Sequence, residues 1–466
     1  MSKAIKAGLW YTLSNMLIKS IGIITAPIFT RLLTTSDYGK INNFISWQSI
    51  LIIFWGLGLE YSIGRAKLDF NTDFSNYTSS ILSLSFIGGS IMSFIFLLFA
   101  EPLSAFMEID RSLLISLCVA LLFSPPLSLY QTKLRFEYKY KRNVLFALYN
   151  AVLVTVLSII FILVSDLGNQ YKGKIYGTII PIVGLGIIST YYIYKQGGKL
   201  DTQYWKYAVK YSLPMIPHGL GMLLLSQIDR IMIIKLDTDS GAGIYSFGYS
   251  LVVILLFLFS SVVSAWQPWL FDNLKLGNRQ AIHKSVKVLN AIFLSLFLLM
   301  ATLGPEVIKL LGSRDFWVAQ TVIIPIATGI FYQFVYSYFF NIELYYKKVI
   351  FIPIGTISAA IINIALNALL LPQYGYIAAS YTTTVSYFLL MLYHWLVYLK
   401  IDQECTLPTK SLLLFTLLGT GLGLVMQWLI NAPLYRYMIG ASIISVTIYV
   451  YRTPILSYIK SKRNEI

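Results

Sequence analysis

The sequence predicts an all-α polytopic membrane protein with about fourteen transmembrane helices, built as two six-helix lobes in a parallel repeat plus a C-terminal helix pair. Three observations lead to this fold class: the composition, the lengths of the apolar runs and a weak internal repeat. Of the 466 residues, 57% are hydrophobic and 12% are charged, whereas soluble proteins have about 25% charged residues. The mean hydropathy is +0.70. Because charge is scarce along the whole chain, a soluble enzyme, a nucleic-acid-binding protein and a secreted disulfide scaffold are excluded.

Fourteen apolar runs are long enough to be membrane spans, since a helix needs roughly 20 apolar residues to cross a bilayer. They occupy residues 8–30, 41–60, 79–100, 112–131, 144–164, 175–194, 211–234, 244–266, 288–311, 318–340, 349–371, 376–398, 411–430 and 437–459. Arg452 and Pro454 interrupt the last run, so twelve spans with an irregular C-terminal hairpin are the alternative. The first run resembles a signal peptide, but Asn15 and Lys19 lie inside it and no small-residue cleavage site follows.

Basic residues are unevenly distributed between alternate loops. One set of loops holds 25 of the 36 lysines and arginines, and two more, Lys19 and Arg230, fall within helices. The other set holds nine, namely Arg31, Lys40, Arg111, Lys172, Lys174, Lys235, Lys309, Arg314 and Arg436. We call the corresponding faces lysine-rich and lysine-poor. Since basic loops stay on the cytoplasmic side, both termini are predicted to be cytoplasmic and the number of spans to be even.

Residues for covalent or metal chemistry are few and scattered. Cys118 lies in an apolar run and Cys405 in a short loop, and His218, His283 and His394 are far apart, so neither a disulfide framework nor a metal cluster is predicted. No loop contains a phosphate-cradling ATP motif. No loop exceeds about 20 residues, which leaves no room for a glycosyl-transfer or ligase site. The function is therefore expected to reside in the helices.

An internal repeat is indicated by three weak matches at nearly one offset. The matched pairs are 137–146 with 343–351 (offset 206), Gly39 with Gly243 (offset 204) and Gly173 with Gly375 (offset 202). The offset spans six helices, so the predicted halves are parallel, with helices 1–6 in residues 1–200 and helices 7–12 in residues 201–400. Residues 401–466 lie outside the repeat and form the helix pair with a basic tail. Chance similarity between Tyr- and Lys-rich loops is the alternative.

Lys19 is the deepest charge in the predicted spans. It lies about 11 residues, or roughly 16 Å of helix, from either end of helix 1, too far for its side chain to reach the interface. A charge at mid-bilayer costs about 2.5–3.5 kcal/mol, so Lys19 is expected to face water or a counter-charge. Asn15 and Gly22 lie one turn away on the same face. Lys19 either contacts an anionic ligand or forms a buried ion pair with another helix.

Helix 7 combines two prolines with charged residues. Pro214 and Pro217 precede His218 and are expected to kink a helix that lines a cavity. Asp229 and Arg230 lie near its other end, and as neighbours in sequence they face different ways and need different partners. Arg230 either lines the cavity or reaches the interface. His218 is either a proton-sensitive group or a hydrogen-bonded interior histidine.

Four further polar residues lie within or at the ends of spans. Glu60 and Arg65 bracket the inner end of helix 2. Asn363 and Asn367 are four residues apart on helix 11, so they either line a cavity or form interhelical hydrogen bonds. The aromatic residues of 331–340 either belong to an interfacial belt or stack on sugar rings.

Three segments resemble bacterial polysaccharide flippases. They are RLLTTSDYG (31–39), YSLPMIPHGL with QIDRIMI in helix 7, and NIALNALLLPQYGYIAASYTT across helices 11 and 12. Over about residues 1–400 the chain is similar to Wzx-type O-antigen repeat-unit flippases of the multidrug/oligosaccharidyl-lipid/polysaccharide exporter superfamily. The resemblance implies a V-shaped pair of lobes around a cationic cavity. It also implies transfer of a polyprenyl-diphosphate-linked oligosaccharide to the outer leaflet of the bacterial cytoplasmic membrane, for O-antigen, capsule or exopolysaccharide synthesis.

This resemblance, together with the polar residues, defines an expected cavity and mechanism. The expected substrate contacts are Lys19, Asn15, Arg230, Asp229, Arg31, Glu60, Arg65, His218, Asn363 and Asn367. Rocking of one lobe against the other would move the substrate without catalysis, metal or cofactor, driven by a proton or sodium gradient or by use of the product. The expected partners are the lipid-linked oligosaccharide, membrane lipids, a polysaccharide polymerase and a chain-length regulator, and not nucleic acid.

Three other functions compete with this interpretation. A cation-coupled multidrug exporter of the same fold would need intramembrane carboxylates, whereas the deepest charge is Lys19. A flippase for the peptidoglycan lipid precursor would be favoured by further cations in the cavity. A glycan polymerase would need a large external loop.

Overall fold

The computed structural model describes residues 21–402, 406–446 and 449, and within them it consists of helices and loops without a strand. The predicted all-α membrane fold is confirmed. Eleven helices among the described residues are long and apolar enough to cross a membrane. The count of fourteen stays a prediction, because most of the predicted span 8–30 and the end of 437–459 lie outside the described residues.

The chain divides into two compact units, Met1–Gly243 and Ile244–Ile466. The helices that begin in the first unit are α1 (Ile21–Leu32), α2 (Thr35–Gly56), α3 (Glu60–Asp69), α4 (Phe74–Leu98), α5 (Ala100–Met107), α6 (Arg111–Phe136), α7 (Tyr140–Val164), α8 (Gln170–Gln196), α9 (Thr202–Ser212), α10 (Ile216–Leu236) and α11 (Asp239–Lys275). Helix α11 continues into the second unit. These units are defined by contacts, so the predicted repeat boundaries at 200 and 400 stay predictions.

The second unit contains the remaining described helices. They are α12 (Arg279–Leu311), α13 (Gln320–Tyr345), α14 (Phe351–Tyr374), α15 (Tyr376–Ile401), α16 (Thr409–Trp428) and α17 (433–446). Helix α13 lies at the centre of this unit, and 83% of its most apolar stretch is buried. By contrast, only 11% of the corresponding stretch of α7 in the first unit is buried. Helix α13 is therefore enclosed by protein, whereas α7 presents most of its surface to its surroundings.

Helix 2 is interrupted where the sequence predicts a continuous span over 41–60. Helix α2 ends at Gly56 and α3 begins at Glu60, because Leu57 and Gly58 have φ angles of 50° and 59°. This left-handed conformation cannot continue a right-handed helix. A glycine at one of the two positions makes the break less costly. The interruption places Glu60 at the start of a new helix.

The prolines of helix 7 lie at the break between α9, which ends at Ser212, and α10, which begins at Ile216, rather than inside one continuous helix. Pro214 lies in the first positions of a 3-10 turn, Leu213–Met215, and Pro217 lies in the first positions of α10. A proline fits there because the first amides of a helix have no intrahelical acceptor. The residues before them form the separate helix α9, which buries Tyr204 on one face.

Gly39 and Gly243, which the internal repeat matches with each other, lie in close contact in the first unit. A Cβ atom on Gly39 would overlap the carbonyl oxygen of Asp239, and a Cβ atom on Gly243 would overlap the carbonyl oxygen of Thr35. The Thr35 and Ser240 hydroxyls are 2.7 Å apart beside this contact. Only glycine allows the first turns of α2 and α11 to cross so closely. The contact is reciprocal, as expected for equivalent positions of a two-fold repeat.

The two loops that the sequence matches over 137–146 and 343–351 end their helices in the same way. Tyr138 after α6 and Lys347 after α13 have φ angles of 55° and 59°. In both loops the next amide, of Lys139 or Lys348, donates to the carbonyl three positions before the helix cap, which is the Schellman motif. These caps are 209 residues apart, so the sequence match at 206 is three residues out of register with the structural equivalence.

Candidate functional site

The predicted contact residues are divided between the two units. Lys19 and Asn15 lie outside the described residues. Six belong to the first unit, namely Arg31, Glu60, Arg65, His218, Asp229 and Arg230. The remaining two, Asn363 and Asn367, belong to the second unit.

The polar residues of α10 lie along its contact with α2 and α3, which we call the α2–α10 seam. The Ser46 hydroxyl of α2 donates to Oε1 of Gln227 at 3.2 Å. Towards the other end, a Cβ atom on Gly219 would lie 2.7 Å from the Tyr61 hydroxyl. A Cβ atom on Gly58 would lie 3.2 Å from the Ile216 side chain. Glycines on both sides therefore let the helices approach closely, and His218 lies half-buried at this end of the seam.

Arg230 is buried within the seam. Its side chain is 7% exposed, and that of Asp229 is fully buried. One guanidinium nitrogen of Arg230 donates to the backbone carbonyl of Ser226, one turn earlier, and lies 3.5 Å from Oε1 of Gln227. The arginine thus folds back along its own helix, which does not fit a side chain extended towards the interface. A cation is held here by backbone and amide oxygens.

Glu60 opens onto a small cavity beside the helix interruption. The cavity has a volume of about 60 Å³, room for a few water molecules. The exposed Glu60 carboxylate accepts a hydrogen bond from the Ser128 hydroxyl of α6. Arg65 instead pairs with Asp69 at 3.0 Å, on an exposed face of α3. The structure therefore does not bring Glu60 and Arg65 together.

Arg31 is exposed near the end of α1. Its guanidinium donates to the carbonyl of Pro27 at 2.8 Å, within the same helix. Its role as a substrate contact stays a prediction.

Asn363 and Asn367 hold α14 to α15. The amide of Asn363 donates to the Thr383 hydroxyl at 3.2 Å, and the amide of Asn367 donates to Oδ1 of Asn363 at 3.3 Å. The Thr382 hydroxyl completes the network by donating to Oδ1 of Asn367. Both asparagines are fully buried. Of the two predicted roles, cavity lining and hydrogen bonding between helices, these contacts match the second.

Replacing Asn367 with alanine is expected to destabilise the protein modestly. Interhelical hydrogen bonds in membrane proteins contribute about 0.6 kcal/mol on average, and at most about 1.7 kcal/mol. We expect a loss of unfolding free energy in this range, measured by denaturant titration in detergent. Ser295→Ala is the control, since the Ser295 hydroxyl bonds to its own helix. Equal stabilities of the Asn367→Ala protein and the wild type would contradict the structural role.

A buried lysine and a half-buried one, Lys133 and Lys174, escaped the sequence analysis because it assigned them to loops. Helix α8 begins at Gln170 rather than 175, which places Lys174 inside the helix. Its ammonium lies 3.7 Å from the centroid of the Phe29 ring, a cation–π contact. Helix α6 extends to Phe136, and its Lys133 is fully buried and donates to the Ser75 hydroxyl at 3.2 Å. The first unit therefore holds more interior cations than predicted.

A larger pocket lies at the lysine-poor end of the first unit. Its volume is about 480 Å³, and its charged lining residues are Lys40, Glu101, Glu108, Asp110, Arg111 and Asp239. Lys172 and the Tyr171 hydroxyl bind Asp110 at 2.7 and 2.8 Å. Hydrogen bonds from Lys172 and then Tyr171 lower the pKa of Asp110. A lining with both charges and a tyrosine is suited to a ligand rich in hydroxyl groups.

Comparison with known proteins identifies a family and a fold. The family model described as "Polysaccharide biosynthesis protein" matches residues 4–274, more than half of the chain. No curated protein matches the chain. Among solved structures, the lipid II flippase MurJ in an inward closed conformation has a TM-score of 0.75 at 14% identity, covering 96% of this chain and 100% of that one.

Two further structures extend the comparison. An inward-facing multidrug resistance MATE family transporter of the MOP superfamily has a TM-score of 0.63 at 15% identity, covering 83% of this chain and 96% of that one. A MOP superfamily transporter from Pyrococcus furiosus has a TM-score of 0.59 at 15% identity, covering 86% and 96%. At these identities the likeness shows a shared fold. The resemblance predicted from sequence is confirmed.

Proposed function

Because the chain belongs to the polysaccharide biosynthesis protein family, we propose that it moves a polyprenyl-diphosphate-linked oligosaccharide repeat unit from the cytoplasmic to the outer leaflet of the bacterial cytoplasmic membrane. The family match carries this proposal. It is supported by the fold shared with a lipid-linked precursor flippase and with MATE transporters. The product would enter O-antigen, capsule or exopolysaccharide synthesis.

The interior cations of the first unit suit the head group of such a substrate. A diphosphate is anionic. Arg230 is a buried cation in contact with oxygen atoms, and Lys174 is a half-buried cation in contact with an aromatic ring. Together with Lys19 they would attract the diphosphate, while the polyprenyl tail remains in lipid. Movement across the membrane breaks no covalent bond, so the proposed activity is transport without catalysis.

The proposal includes an orientation and partners. The lysine-rich face would be cytoplasmic, with both termini on that side. A polysaccharide polymerase and a chain-length regulator would act on the product at the other face. A proton or sodium gradient, or consumption of the product, would drive net movement.

A flippase for the peptidoglycan lipid precursor is the second candidate. The likeness to the lipid II flippase extends over 96% of this chain, and Lys174 and Lys133 add interior cations that such a function favours. Both candidates share the polyprenyl diphosphate, so they differ in the recognised sugar.

Reconstitution with two labelled lipids distinguishes these candidates. The purified protein in liposomes would receive a fluorescent polyprenyl-diphosphate oligosaccharide or fluorescent lipid II, and a membrane-impermeant quencher would report the lipid in the outer leaflet. We expect movement of the oligosaccharide lipid and little movement of lipid II. The opposite result would select the second candidate, and movement of neither lipid would reject both.

Lys19→Glu is expected to abolish surface-glycan export while the protein still inserts into the membrane. Reversing the charge would repel the diphosphate from the predicted cavity. Export would be measured by antibody labelling of the surface glycan, and insertion by the amount of protein in the membrane fraction. Lys19→Arg, which keeps the charge, is the matched control. Full export by Lys19→Glu would refute the cationic contact.

A further inference from the structure

Glu343 and His394 form a buried ionisable pair in the second unit. Glu343 lies in the last turn of α13, and His394 lies on α15, 51 residues further along the chain. Nδ1 of the imidazole is 2.6 Å from Oε1 of the carboxylate, and both side chains are completely buried. This pair belongs to neither the α2–α10 seam nor the lysine-poor pocket.

Aromatic rings and a glycine enclose the imidazole. The Tyr336 ring lies 4.6 Å from it, centroid to centroid, and the Tyr393 ring 5.0 Å from it at a right angle. A Cβ atom on Gly355 of α14 would lie 2.6 Å from Nε2. Gly355 therefore leaves space next to the outer nitrogen of the ring, where any larger residue would collide with it.

The charge of the pair has no compensating partner in the part of the chain that the structure describes. The titratable side chains facing the pair are Tyr336 from α13 and Tyr393 from α15. The contacts of α13 with α12 and α16 include uncharged groups, the Tyr338–Asn290 and Tyr332–Thr420 hydrogen bonds. The only ion pair of Glu343 among the described residues is with His394. The charge of this site is thus set by how many protons the pair holds.

Each member of the pair has one unsatisfied atom. Oε2 of Glu343 and Nε2 of His394 are buried without a hydrogen-bond partner among the described residues. A purely structural link between α13 and α15 would not require ionisable groups, since a neutral amide pair hydrogen-bonds without the desolvation cost of a charge. Ionisable residues inside membrane proteins usually mark ion or proton pathways.

We propose that Glu343 and His394 form a proton-binding site. Without the proton, a neutral imidazole donates from Nδ1 to the Glu343 carboxylate, and the pair carries one negative charge. A proton from water then binds Nε2, and the imidazolium and carboxylate together are neutral. Because Gly355 has no Cβ atom, α14 packs directly against Nε2, the atom that accepts the proton. This inference rests on the proposed transport function and names the proton as its coupling ion.

Infrared spectroscopy of the purified full-length protein tests proton binding without any substrate. Across the pH range over which the pair binds its proton, we expect the imidazole bands to change and the band of the Glu343 carboxylate, which stays ionised, to shift with them. The imidazole change should be lost in His394→Gln, the accompanying carboxylate shift should be lost in both Glu343→Gln and His394→Gln, and both signals should persist in the control His283→Gln. Elution as a single folded species in detergent must be shown for each variant. If the pH-dependent spectra of the wild type and His394→Gln are the same, the proposed proton-binding site is wrong.

A pH gradient across liposomes tests coupling. We expect a gradient to accelerate movement of the labelled oligosaccharide lipid severalfold in the wild type. Glu343→Gln should retain movement without a gradient and lose the acceleration. Gly355→Ala, whose added Cβ atom would press on Nε2, should reduce the acceleration while Glu343 and His394 are intact. Equal acceleration in Glu343→Gln and the wild type would overturn coupling through this pair.

The two proposals fail in different ways. If the wild type moves neither labelled lipid, the proposed function fails, and the infrared titration alone decides whether the pair binds a proton. If the lipid moves and the imidazole band does not titrate, the proton site is wrong and the transport function stands.

Discussion

Replacing Arg436 with alanine is expected to lower the free energy of unfolding by about 3 kcal/mol. The side chain is 1% exposed. Its guanidinium donates to the carbonyls of Thr302 and Ile430 at 3.0 and 2.7 Å and to the Glu306 carboxylate. Breaking a buried pair costs about 3–5 kcal/mol, and the lower end applies because the Glu306 side chain is 34% exposed.

Denaturant titration of the purified protein in detergent measures this loss. Tyr435→Ala is the matched control, since Tyr435 is the preceding residue and is 63% exposed. Its stability should change by less than about 0.5 kcal/mol, as for most surface substitutions. Equal stabilities of Arg436→Ala and Tyr435→Ala would show that Arg436 does not hold α17 to α12.

Gly39→Ala is expected to reduce export to background. The added Cβ atom would overlap the carbonyl oxygen of Asp239. Because this oxygen belongs to the backbone, α2 and the first turn of α11 must move apart, and the hydrogen bond between Thr35 and Ser240 would be lost. Overpacking against flexible side chains already costs about 1–3 kcal/mol, and backbone yields less readily.

Gly184→Ala provides the same substitution in open space, since no atom lies within 4 Å of the position of its Cβ atom. Surface glycan and membrane-inserted protein would be measured for both variants in the same cells. Gly184→Ala should export normally. Normal export and normal protein amounts in Gly39→Ala would show that the crossing is not required.

Helix positions were predictable because a bilayer demands long apolar runs, but helix ends were not. Lys174 lies in α8 although the predicted span starts one residue later, since a polar first turn has the composition of a loop. The end of α2 was missed because the apolar run continues through Leu57 and Leu59. The left-handed φ angles of Leu57 and Gly58 depend on local backbone geometry.

Individual polar residues were harder to assign than helices. The sequence identified Asn363 and Asn367 by their four-residue spacing, and their hydrogen bonds match one of the two predicted alternatives. His394 gave no signal, because its partner Glu343 is 51 residues away and lies on a helix that is not adjacent in sequence. Spacing along one helix reveals neighbours on that helix, whereas partners on different helices are determined by packing.

The enclosure of α13 separates the second unit's polar chemistry from the surrounding lipid. Few acyl chains can touch a helix whose most apolar stretch is 83% buried, so its side chains respond mainly to neighbouring helices. A change in bilayer thickness or lipid type acts first on exposed helices such as α7. A change in lipid composition would thus alter the surroundings of α7 more than those of Glu343.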